Sequence, residues 1–216
     1  MTLPRSVKSL PENRAVSSAG GRALFLGVPW LLIGGSWIGW ENAWLTTAVY
    51  HTWIGLVWWK TGPTRVPLFS GGHVGVFIGV ALVCGACLPL IVTLWPWAAR
   101  ESVDMAETLV HLGLAGWSFW AFFAYLVTIH PFLEEVYWRG LLPQHLTTDL
   151  AFAGFHVFLT WTFLAPIWQI PVVVGLLIGA GLWRLAIRRF GGLLIPIGTH
   201  AVADAAILLA AWWLAR

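Results

Sequence analysis

The chain has 216 residues, of which 59% are hydrophobic and only 10% charged. A soluble domain carries about 25% charged residues, so an ordinary water-soluble globule is excluded and the composition points to a bilayer. The net charge is only +3 and the basic residues form no cluster, which excludes nucleic acid as a partner.

Residues 1–22, MTLPRSVKSLPENRAVSSAGGR, are polar, basic and rich in Ser, Gly and Pro. They look like the n-region of a signal peptide, but the apolar run that follows ends in WIGWENAW, without a small-residue cleavage site. The expectation is an uncleaved cytoplasmic tail, with residues 23–216 forming a single transmembrane domain. About 20 apolar residues are needed to cross the hydrocarbon core. Candidate spans in chain order are 23–40, 43–59, 71–98, 109–129, 150–167, 170–187 and 192–214. The amphipathic segment 132–142 is too short to cross alone and continues or abuts the fourth span. The expected fold is therefore all-α, a polytopic membrane bundle of seven or eight helices. The third span is long enough to tilt or to kink near Pro89. His130-Pro131 reads as a break, because proline disfavours helix in the residue before it. Gly191-Gly192 reads as a helix stop.

Two residue types support this topology. Of the 17 tryptophans, Trp40, Trp58, Trp59, Trp95, Trp97, Trp212 and Trp213 flank apolar runs, as an interfacial belt would. With the amino terminus inside, Arg5, Lys8, Arg14, Arg22, Lys60, Arg65, Arg139, Arg184, Arg188 and Arg189 fall on the cytoplasmic side. Only Arg100 and Arg216 fall outside, the bias expected of the positive-inside rule. Cys84 and Cys87 lie in an apolar run without the polar surroundings of a redox pair, and read as two packing residues one turn apart.

An ionisable side chain inside a membrane costs roughly 2.5–3.5 kcal/mol on insertion scales, and marks a functional site or a paired network. The stretch HPFLEEVYWRGLL, 130–142, holds two acids and an arginine. On a helix wheel Glu135 and Arg139 are about 40° apart, with the acid first, the favourable order for a salt bridge. Glu134 lies about 140° from Arg139, on another face. The arginine can thus neutralise Glu135 and leave Glu134 available, with Trp138 one turn on to exclude water. Two further helices place Phe152 with His156, and His200 with Asp204, at four-residue spacing. A carboxylate and two imidazoles from three helices support two chemistries. They can bind a metal such as zinc, or Glu134 can act as a general base on water shared with His156 while His200 stabilises an oxyanion. His51, His73, His111, His130 and His145 have no matching partner at helical spacing and read as interfacial or hydrogen-bonded, His130 being nearest the motif.

Three segments, EEVYWR (134–139), FAGFH (152–156) and HAVAD (200–204), match in order the EExxxR, FxxxH and HxxxN motifs of a known family. Over about 110–215 the chain resembles the CPBP (CAAX protease and bacteriocin-processing, or ABI) family of intramembrane glutamate endopeptidases. The resemblance implies that Glu134 activates water with the help of His156. It further implies that His200 and residue 204 form an oxyanion hole, that Glu135 and Arg139 brace the site, and that Phe152 packs against its wall. No metal or other cofactor is needed in that scheme, although zinc remains chemically reasonable. It also implies a protein or peptide substrate, processed near its C-terminus in some relatives, and membrane lipid as partner, in a bacterial or archaeal cytoplasmic membrane. Position 204 departs from the commonest pattern by having Asp for Asn, and an ionised Asp has no proton to donate. Either it stays protonated or it orients His200. The rivals are a non-catalytic immunity or scaffold protein of the same fold, a zinc-dependent membrane protease, and a transporter or proton relay, for which inverted repeats are missing.

Overall fold

The computed structural model describes residues 19–216, so most of the expected tail, residues 1–18, lies outside the described residues. The first helix, α1 (Ala19–Trp40), takes in the last four residues of that tail. Next come α2 (Ala43–Thr61), α3 (Val74–Gly85), α4 (Cys87–Ala98), α5 (Met105–His111) and α6 (Trp117–Glu135). A π-helical turn, Val136–Leu141, continues α6. The chain ends with α7 (Leu146–Trp161), a single 3-10 turn at Pro166–Trp168, α8 (Gln169–Phe190) and α9 (Leu194–Leu214). The described residues contain no strand. With α3 and α4 taken as one broken rod, the protein is the expected all-α bundle.

Four helical segments are long and apolar enough to cross a membrane: Gly20–Trp40, Val74–Ala98, Pro166–Phe190 and Leu194–Leu214. The other three expected spans fall short for physical reasons. Helix α7 has 16 residues, about 24 Å at 1.5 Å per residue, against about 30 Å of hydrocarbon. Helices α2 and α6 carry the polar side chains described below.

Three boundaries differ from the sequence expectation. The kink near Pro89 falls at Ala86, between α3 and α4, because Pro89 has no N–H for the Gly85 carbonyl and its ring crowds that oxygen. The span expected at 109–129 starts at Trp117. Gly113 and Gly116, with φ of 77° and 55°, turn the chain there, and glycine adopts that backbone without a Cβ penalty. His130-Pro131 does not break the helix, since α6 runs through Pro131 to Glu135. The departure comes after it, where the Leu142 N–H donates to the Tyr137 carbonyl at 3.2 Å, a five-residue closure typical of π turns. Gly191 ends α8 in the left-handed region, as the sequence indicated.

Helix α9 is central, packing on α6, α3, α4 and α8, while α1 packs on α2 and α7. The α1–α7 contact is close because position 154 is glycine: a Cβ there would come within 2.3 Å of the Trp30 ring. The two ends of the bundle are tied by separate loops. At one end Arg65 N–H donates to Gly140 O at 2.8 Å, and Leu193 N–H to Pro67 O at 3.1 Å. At the other, Arg100 N–H donates to Phe163 O at 3.0 Å. Lys60, Arg65, Arg188 and Arg189 thus gather near the end where the π turn lies, and Arg100 at the opposite one.

Candidate active site

The last turn of α6 and the π turn are buried without interruption from Glu134 to Leu142. Aromatic side chains wrap them: Trp138 stacks on Phe155 with ring centroids 5.7 Å apart, and Phe152 meets Trp138 edge-on. The polar groups enclosed by this shell must find partners in one another, because unpaired polar groups are costly where water is excluded.

Glu135 and Arg139 do so, as expected. Arg139 Nη1 donates to Glu135 Oε1 at 3.0 Å, and both residues are buried, with 3% and 0% of the side chain exposed. The guanidinium carbon also lies 4.1 Å from the centroid of Phe152 and 4.9 Å from that of Trp183, so the charge is held between two ring faces. Phe152 therefore packs against the site wall by touching Arg139. From α9, His200 Nδ1 lies 2.9 Å from the same Oε1 of Glu135, and its ring stacks on Trp183 at 4.9 Å. Glu135 thus serves a cation and an imidazole with one oxygen.

Glu134, one residue earlier, points elsewhere. Its Oε1 accepts the Tyr50 hydroxyl at 2.6 Å, and that hydroxyl accepts the Trp138 indole N–H at 2.7 Å. Its Oε2 is buried and makes no hydrogen bond among the described residues. Two imidazoles face that oxygen: His130 Nε2 at 3.6 Å and His200 Nε2 at 3.7 Å. Asp204 Oδ1 stands 3.6 Å from the same His200 nitrogen, and its Oδ2 is also without a partner.

His156 is close to this centre but held by its own helix. Its Nδ1 bonds to the Phe152 carbonyl oxygen at 2.8 Å, and its ring stacks on Phe155 at 4.2 Å. With Nδ1 so engaged, Nε2 remains as the nitrogen that can meet a water, and the ring lies within electrostatic reach of Glu134 and His200. Among the described residues it makes no direct hydrogen bond to Glu134.

Tyr50 is not named in the sequence reading, and His51 is read there only as interfacial or hydrogen-bonded. Tyr50 and His51 come from α2, and nothing in the local sequence of α2 shows that it meets α6. His51 Nε2 lies 2.9 Å from His130 Nδ1, and its Nδ1 lies 2.6 Å from the Tyr125 hydroxyl. His130 is a correction to the expectation that it has no partner at helical spacing, because it is four residues before Glu134 on an unbroken helix. The other histidines behave as expected where they are engaged: His111 pairs with Glu41, and His73 caps α3.

The fold defines an integral membrane protein with a cluster of carboxyl and imidazole groups buried in its interior. Residues 116–206 match the family model of type II CAAX prenyl endopeptidase Rce1-like proteins. The match runs from the start of α6 into α9 and takes in all three motifs, so this segment is similar to the CAAX protease family. That family supports a protease role, a membrane location, and a protein or peptide substrate. Comparisons with curated proteins and with solved structures return no match.

Proposed function

We propose that the protein is an intramembrane endopeptidase in which Glu134 is the general base that directs water at the scissile carbonyl. The observation that carries this reading is the division between the two adjacent acids. Each acid keeps one buried oxygen without a hydrogen bond, but Glu135 is neutralised through its other oxygen by Arg139 and His200. The bonded oxygen of Glu134 meets the Tyr50 hydroxyl instead, and its open Oε2 faces the Nε2 atoms of His130 and His200. The Tyr50 bond fixes the carboxylate, so Oε2 is aimed rather than free to rotate. A water placed between that oxygen and His156 Nε2 would give up its proton to Glu134, and a positioned base of this kind contributes typically 10²–10⁴-fold to rate.

His200 is read as the oxyanion donor. Its Nδ1–H is directed at Glu135, so Nε2 carries a proton only in the imidazolium form, when both ring nitrogens donate. Glu134, Glu135 and Asp204 supply the counter-charge for that form. Asp204 lies beside Nε2 and is read as orienting the ring. Asp204→Asn, which keeps shape and polarity, is expected to stay active, and Asp204→Ala to lose most activity. An inactive Asn variant beside an active Ala variant would refute both roles considered for the residue.

The substrate class is carried over from the family description, a prenyl endopeptidase: a membrane-associated protein or peptide cleaved near its C-terminus. Access from the cytoplasmic side, with the amino terminus inside, is supported by the basic residues that gather at the π-turn end. The test compares the membrane peptidome of cells carrying wild type and Glu134→Ala. Peptides with new termini should be present with wild type and missing with the variant at equal protein level. Unchanged peptides would favour a scaffold role for the same fold.

A further inference from the structure

Beyond the base already assigned, the centre holds a second set of donors. His130 Nε2, Glu134 Oε2 and His200 Nε2 all lie within 4.8 Å of one another, with two of the separations at 3.6 and 3.7 Å. A tetrahedral zinc with ligand bonds of about 2.0–2.1 Å would set neighbouring donors about 3.3–3.4 Å apart, so modest side-chain adjustment brings the three onto one ion. Two nitrogens and one carboxylate oxygen suit a divalent first-row transition ion of the zinc class, and not calcium or magnesium, which take oxygen ligands.

The surroundings are those a metal site requires. Each imidazole is held through its other nitrogen, His200 by the Glu135 carboxylate and His130 by His51. Such outer partners fix ring orientation and raise ligand basicity. Tyr50 fixes the far oxygen of Glu134. The near oxygen is fully buried and unpartnered, and it faces both imidazoles.

We infer that a zinc-class ion binds His130, Glu134 and His200 and switches the protease off. The inference rests on Glu134 being the base. The ion would take the carboxylate oxygen that must accept a proton from water, and the His200 nitrogen that must donate to the oxyanion. His130 is the ligand outside the three motifs, so it is where binding can be separated from catalysis.

The test uses the full-length protein in detergent or in vesicles, dialysed against Zn²⁺ and, separately, titrated with Co²⁺. Stoichiometric zinc and the visible absorption of low-coordinate cobalt are expected for wild type and are lost in His130→Ala. His130→Gln, which keeps a hydrogen-bonding group beside His51, is the second variant, and thermal unfolding verifies that each is folded. Cleavage of the Glu134-dependent peptides should be lost when Zn²⁺ is added to wild type and restored by a chelator. Each variant's own metal-free rate should no longer respond to Zn²⁺. Wild type that binds no more metal than the His130 variants, or binds it without losing activity, would overturn the inference. Zinc that raises the rate would overturn the inhibition and also the reading of Glu134 as base. Cleavage that survives Glu134→Ala would overturn that reading alone, since metal binding is measured without it.

Discussion

The α3–α4 rod and the end of α6 have exchanged the roles such segments have in a water-soluble protein. Val74–Ala98 has a mean hydropathy of 2.5 over its most apolar window, yet none of that window is buried within the protein. The stretch from Glu134 to Leu142 holds two acids and an arginine and is buried throughout. Lipid explains the difference. Apolar side chains gain nothing by leaving hydrocarbon tails, while charged ones must pair in the interior. Burial therefore follows polarity here, and the most apolar helix says least about function.

Substitutions in the two regions should separate this account from one in which the polar cluster is incidental. The largest loss of stability is expected from Arg139→Ala, which leaves Glu135 buried beside His200 alone and empties the space between Phe152 and Trp183. Breaking a buried ion pair from one side costs about 3–5 kcal/mol, and unfolding of the detergent-solubilised protein should show it. Tyr50→Phe is expected to be milder. It leaves the second oxygen of Glu134 without a donor, at about 1–3 kcal/mol, and should lower the cleavage rate while substrate binding changes little. Leu82→Ala, at a side chain 70% exposed on the apolar rod, should change stability by no more than about 0.5 kcal/mol. A large loss there would mean that this face is covered by protein rather than lipid.

What was legible in the sequence follows from how local each feature is. The Glu135–Arg139 pair and the His200–Asp204 stripe are set by four-residue spacing on one helix, and both are found as read. The stop at Gly191 is equally local. The π turn is not legible, since nothing in VYWRGL marks the wider closure that follows α6. Tyr50 and His51 reach the site from a helix more than 70 residues away, and only tertiary packing shows it. His130 was legible in part, as the histidine nearest the motif, but was read as having no partner. Its spacing to Glu134 is the same four residues as the Glu135–Arg139 pair, but the expectation that Pro131 ends the helix removed it. The amide hydrogen lost at Pro131 is a single bond that the rest of α6 outlasts, and membrane helices tolerate it.

The account depends most on the separation of tasks between neighbouring carboxyl groups, and one paired measurement addresses it. Glu134→Gln and Glu135→Gln should be purified side by side, and cleavage measured per folded molecule with thermal unfolding recorded on the same samples. Glu134→Gln is predicted to unfold near wild type and to cleave nothing, whereas Glu135→Gln unfolds at lower temperature and its folded fraction retains some cleavage. A folded Glu134→Gln that cleaves at the wild-type rate would contradict the account.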